Sequence, residues 1–119
     1  MVFDIEVAER GDWHVVIVTG DLDVATSPKL RETVISLVAE GRRSLVVDLC
    51  GVDFCDSTGL GTLVGALKRA RSHDGRLVVA ADQPHIRRIF DLVGLVDVLG
   101  VADSAAQAAA AADRRDGQG

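Results

Sequence analysis

Three short segments of this chain are apolar at consecutive positions rather than at alternate ones. Residues 13–19 read WHVVIVT, residues 45–49 LVVDL and residues 77–81 LVVAA. Successive side chains of a strand point to opposite faces, so such strands must be covered on both sides. Their Val-rich, β-branched content suits a strand better than a helix. A sheet with one wet face is therefore excluded, and the intervening segments must supply the covers. They carry helical signals. Leu30, Val34, Leu37 and Val38 form one apolar stripe, with Ser27 as the expected N-cap, Pro28 in the first turn and Gly41 as the stop. Residues 57–72 form a second helix. Pro84 opens a third, with Ile86, Ile89, Phe90 and Val93 inward and Gly94 at its end. Residues 103–112 form an Ala-rich fourth, capped by Asp103 or Ser104.

Phe3–Val7 alternates apolar and acidic residues, and Arg10-Gly11-Asp12 is a turn, so the first two strands pair as a hairpin. A short last strand is expected at 96–99. The order β-β-α-β-α-β-α-β-α predicts an α/β fold. It is a single domain over residues 1–112, with a mixed, mostly parallel sheet of four to five strands, an N-terminal antiparallel hairpin and about four helices. The polar end, 113–119, reads as a frayed tail. The 119 residues leave room for one domain only.

Composition narrows the function classes. The formal net charge is −5, and three Phe, one Trp and no Tyr offer little on which to stack bases, which argues against nucleic acid as the main partner. No apolar run approaches the roughly 18 residues of a membrane span, so no membrane association is expected. The opening MVFDIEVAER does not read as a secretory signal, and two cysteines without such a signal point to reduced thiols in the cytoplasm.

The most informative segment is residues 48–71. A helix begins there, yet its first turns hold Gly59, Gly61 and Gly65, each costing about 1 kcal/mol relative to Ala. On a wheel at about 100° per residue, Leu60, Leu63, Val64 and Leu67 share the core face. Ser57, Gly61, Gly65 and Lys68 fall along a neighbouring outward stripe. Ser57 thus stands at the helix start, beneath a strip of nearly bare backbone that a second protein can approach closely. Gly59 fits packing against the chain's own sheet instead.

Rival readings start from the same residues. Ser57 is a plausible helix cap, and so is Asp56. A dinucleotide site would use Gly59, Gly61 and Gly65 after a strand, with Asp82 ending the next strand where a ribose-binding acid sits. Against it, Cys50 to Thr58 are expected to separate strand from glycines, and the chain is too short for a second nucleotide-binding half. Nucleophilic catalysis by Ser57 needs a base, and only His14, His73 and His85 are available, outside any Gly-x-Ser-x-Gly elbow. Cys50 and Cys55 lack the further ligands of a zinc set, so no metal is expected. They are either small buried residues or a candidate redox pair beside Ser57.

The stretch Asp56-Ser57-Thr58-Gly59-Leu60-Gly61 resembles the signature of STAS domains, specifically the bacterial anti-sigma factor antagonists of the SpoIIAA type. Gly20-Asp21-Leu22-Asp23 with Thr26 and Leu30-Arg31, the strand Leu45–Leu49 with Val52-Asp53-Phe54, and Phe90 with Gly94-Leu95 resemble further parts of that family in the same order. The resemblance implies a non-enzymatic regulator that switches partners. Unphosphorylated, it binds an anti-sigma factor with serine kinase activity and frees a sigma factor; phosphorylation ends binding, and a phosphatase restores it. Ser57 matches the phosphorylated serine, Asp56 the acid before it, and Asp23 an acid of the binding surface. Thr58, Gly61, Gly65 and Lys68 complete the expected docking surface. The resemblance implies no cofactor held by this chain, since ATP and magnesium would arrive with the kinase. Two alternatives stand beside this reading: a STAS module of another signalling or transport complex, and a small nucleotide-binding or hydrolytic protein. The two cysteines depart from the family pattern.

Overall fold

Both faces of the apolar strands are covered, and by unequal layers. The computed structural model describes residues 2–117. Its strands are β1 (Asp4–Arg10), β2 (Trp13–Leu22), β3 (Ser44–Cys55) and β4 (Arg76–Ala80), and its helices α1 (Ser27–Ala39), α2 (Ser57–Ser72), α3 (Pro84–Leu92) and α4 (Ala105–Gly117). The sheet order is β1-β2-β3-β4. β1 and β2 form the expected antiparallel hairpin, while β2, β3 and β4 run parallel. On one face Val16, Val18, Leu45, Val47 and Leu49 pack beneath α1, α2 and α3, with Ile86 and Phe90 of α3 fully buried. On the other face Trp13, Val15, Val46, Val78 and Ala80 meet only the small residues Ala108, Ala109 and Ala112 of α4.

Four boundaries differ from the sequence expectation. β3 does not stop at Leu49 but continues to Cys55. Gly51 and Asp53 suggest a turn, yet Gly51 pairs with Thr19, Phe54 with Asp21 and Cys55 with Leu22 across two register shifts. At Gly20, beside one of those shifts, φ is +95°, and a Cβ would stand 3.0 Å from the backbone of Phe3. Only glycine lets β2 bend under the N-terminal segment there.

Residues 96–99 form turns rather than a strand. What remains of a fifth strand is one bridge, Ala102 beside Ala80, flanked by Val79 N donating to the Leu99 carbonyl (2.9 Å) and Ala81 N to the Ala102 carbonyl (2.9 Å). At α1 the cap position is Thr26, and Ser27 is the first helical residue. The Thr26 hydroxyl donates to the Asp21 carbonyl (2.7 Å), so it orders the loop instead of capping the helix.

The polar C-terminus, expected as a frayed tail over 113–119, is helical through Gly117, and the expectation for 118–119 lies outside the described residues. Arg76 explains the helical end. It bonds Asp113 (2.7 Å) and Asp116 (2.6 Å) while lying 4.1 Å over the Trp13 ring, and Trp13 Nε1 donates to Asp113 (3.3 Å). Those bonds hold the Asp113 carboxyl below the usual carboxylate range. The partners lie too far away in sequence to be read from composition.

Candidate functional site

The C-terminal ends of parallel strands place successive loops side by side, and β2 and β3 do this here. Leu22 and Cys55 are register partners, and Asp56 N donates to the Leu22 carbonyl (3.2 Å). The residues that follow them, Asp23 and Asp56, therefore start neighbouring loops about 4.8 Å apart. Asp23 is fully engaged in its own loop. Its carboxylate accepts from Ala25 N (2.9 Å) and Thr26 N (3.1 Å), and its own N–H donates to Thr26 Oγ1 (2.9 Å). Its first task is thus to shape the β2–α1 loop.

Only Asp56 separates β3 from α2. It is the N-cap, its carboxylate accepting from Gly59 N at 2.9 Å. Ser57 is freed from that task. It is the first helical residue, exposed, and its hydroxyl makes no hydrogen bond among the described residues. Its own N–H and that of Thr58 have no internal acceptor among the described residues, as befits a helix N-terminus. The short connection is possible because Gly59 is bare. A Cβ there would meet the Leu22 carbonyl oxygen at 2.8 Å and Cys55 Sγ at 2.9 Å. Gly59 therefore packs inward, as the wheel predicts.

Gly61 and Gly65 are the opposite case. Both are exposed, and a Cβ at either would meet nothing within 4 Å. Thr58 and Lys68 are exposed on the same helix. Leu63 and Leu67 are buried as expected, while Leu60 and Val64 are only half-buried, and Ala66 and Ala70 complete the inward face. Two apolar side chains flank this surface that the sequence pattern did not single out. Val24 is 70% exposed and Phe54 52% exposed. Val24 follows Asp23, and Phe54 opposes Asp21 at the end of β3. Alternation alone would put Phe54 on the face of the buried Val52; the register shift between Gly20 and Asp21 turns it outward.

Cys50 and Cys55 do not form the redox pair considered above. They stand five residues apart on one extended strand, about 16 Å, against the 7 Å limit for Cα atoms of a disulfide. Cys50 packs toward the α4 face and Cys55 into the opposite core. Desolvation by burial, then Asp48, pushes the Cys50 thiol up to about 12. Desolvation, then Asp56, pushes Cys55 up to about 11. Both are thiols at neutral pH and poor nucleophiles.

β3 reaches Cys55, so the glycines do follow the strand directly, as a nucleotide site would require. The Asp56 carboxylate already takes the Gly59 N–H where a pyrophosphate would sit, and its charge repels phosphate. No histidine bonds Ser57 among the described residues: His14 lies beside Glu9 (3.4 Å), His73 bonds the Arg69 carbonyl (3.0 Å) and His85 Nε2 the Asp53 carbonyl (2.7 Å). Gln83 Nε2 donates to the Val52 carbonyl (2.6 Å) beside it, so α3 braces the β3 extension that carries Ser57. No helix among the described residues is long and apolar enough to cross a membrane.

The chain is similar to known proteins in sequence and in fold. The anti-sigma-B factor antagonist of Staphylococcus epidermidis is 39% identical over 101 residues, 85% of this chain and 94% of that protein. The anti-sigma-B factor antagonist of Staphylococcus aureus is 37% identical over the same shares. An anti-sigma factor antagonist from Mycobacterium paratuberculosis superimposes with a TM-score of 0.83 at 29% identity, covering 92% of this chain and 93% of that one. The fold alone is shared with SpoIIAA in its phosphorylated form, with a TM-score of 0.67 at 23% identity over 95% of this chain and 98% of that one. Residues 4–108 match the STAS domain, and the chain belongs to that family.

Proposed function

We propose that this chain is an anti-sigma factor antagonist working in the cytoplasm by partner switching, without catalysis of its own. In its unmodified form it binds an anti-sigma factor that is also a serine kinase and so frees a sigma factor. Phosphorylation of Ser57 ends binding, and a phosphatase resets the switch. The observation that carries this reading is the division of labour at the start of α2. Asp56 does the capping, which leaves the Ser57 hydroxyl exposed and unbonded. Docking uses the surface around it: Asp23, Val24, Phe54, Asp56, Thr58, the bare Gly61 and Gly65, and Lys68.

The geometry also suggests how a phosphate would act. It brings a charge of about −1.5 to −2 at neutral pH. The N–H groups and positive dipole end of α2 favour it, while Asp56 opposes it, each by an order of 1 kcal/mol. The domain stays folded, since typical stability is about 5–15 kcal/mol. The switch lies in the complex, where a partner closing over Gly61 and Gly65 would bury the new charge beside Asp56.

Intact-mass analysis of the chain purified from its own host tests the reading. One phosphate, mapped to Ser57, is expected, together with kinase binding by Ser57→Ala and none by Ser57→Asp. Equal binding by both variants would reduce Ser57 to a surface residue.

A further inference from the structure

Arg76 and Arg87 each have a carboxylate partner, whereas three other cations gather in one groove without any. The groove lies between α1 and α2, lined by Arg31 from the first helix and Lys68 and Arg69 from the second. No carboxylate lines it, and none of the three cations forms an ion pair among the described residues. This concentration of positive charge stands out on a chain of net charge −5. The floor is apolar, made by Val34, Ile35 and Ala66. Gly65 opens the groove, because a side chain there would project into empty space.

Length and chemistry together select the occupant. The α2 wall runs from Thr62 to Ser72, about 15 Å at 1.5 Å per residue, or close to three helical turns. A small anion would use neither that length nor the apolar floor. We infer that the groove receives an acidic amphipathic segment of the partner protein. Its carboxylates meet Arg31, Lys68 and Arg69, and its apolar side chains rest on Val34, Ile35 and Ala66. This inference rests on the partner reading above, since the groove continues the Gly61–Gly65 strip that leads away from Ser57. It assigns the two parts of the interface different work: the Ser57 end decides whether binding occurs, and the cationic groove sets orientation, association rate and salt dependence.

The test uses the full chain carrying Ser57→Ala and the kinase it captures from the host, purified and identified by phosphate transfer to Ser57 of the unaltered chain. Adding Arg31→Glu and Arg69→Glu should weaken affinity at low salt at least about tenfold and flatten its salt dependence. The thermal midpoint should hold, because both side chains reach solvent. A carbodiimide, which joins amines only to carboxylates, should link Lys68 to an Asp or Glu of the kinase, and Lys68→Arg should lose the link. If affinity changes less than about twofold and Lys68 forms no link, while Ser57→Asp still blocks binding, the groove assignment is wrong and the Ser57 reading stands. If Ser57→Ala captures no such kinase, both readings fall. A dimer of the chain alone that the charge reversals dissolve would give the groove to a second copy and overturn the inference.

Discussion

Two serines open the two helices that lie side by side on this sheet, and their fates differ completely. Ser27 at the start of α1 is 2% exposed, and its hydroxyl finds no hydrogen-bond partner among the described residues. Ser57 at the start of α2 is exposed with its hydroxyl free. Each follows a parallel strand, and each has an aspartate just upstream. The aspartates make the difference. Asp23 folds its carboxylate back into a four-residue loop, which turns Ser27 under α1. Asp56 stands alone between strand and helix and spends its carboxylate on Gly59, which leaves Ser57 outward. The serine at the start of α2 is accessible because its neighbour does the capping, whereas the one at the start of α1 is enclosed.

The comparison breaks most visibly under charge. Ser27→Asp buries an unpaired carboxylate and should destabilise the domain by about 3 kcal/mol or more. Ser57→Asp should leave it within about 1 kcal/mol of the unaltered chain. Denaturant titration of both variants decides, and similar losses would mean that the two positions are not different in kind.

The glycines sharpen it further. Gly59→Val meets the Leu22 carbonyl and Cys55, and should cost about 2–3 kcal/mol. Gly61→Ala should instead stabilise α2 by up to about 1 kcal/mol, since only helix propensity changes. A thermal midpoint that rises for the first or falls for the second would reverse the assignment of inward and outward faces.

The smallest effect concerns the cap. Asp56→Ala should cost about 1 kcal/mol by chemical denaturation. No loss at all would show that α2, like α1, starts without side-chain help.

The helix face was legible before the structure because spacing alone places Gly59 against the sheet and Gly61 and Gly65 outward. The pairing directions were legible too, because strands joined through helices run parallel and a short turn makes an antiparallel hairpin. Other features depend on contacts that spacing does not encode. The extension of β3 through Gly51 and Asp53 pairs with β2 across two register shifts and is held by Gln83, the cap residue before α3. The exposure of Phe54 follows from the shift between Gly20 and Asp21. The helix at 113–117 needs Arg76, some forty positions upstream of Asp116. Ser27 looks like a cap in the sequence, and only the Thr26–Asp23 loop shows that it is not.

The single-residue connection at Asp56 also bears on how Ser57 can be recognised. The residue before Asp56 is locked in a β ladder, and the one two places after Ser57 is wedged against Leu22. No stretch of chain around Ser57 can peel away and lie extended in an enzyme's cleft without dismantling the sheet. An enzyme that modifies Ser57 must therefore read a three-dimensional epitope assembled from two loops and a helix. Its specificity is written in the tertiary structure, and a linear consensus drawn from the flanking sequence would miss it.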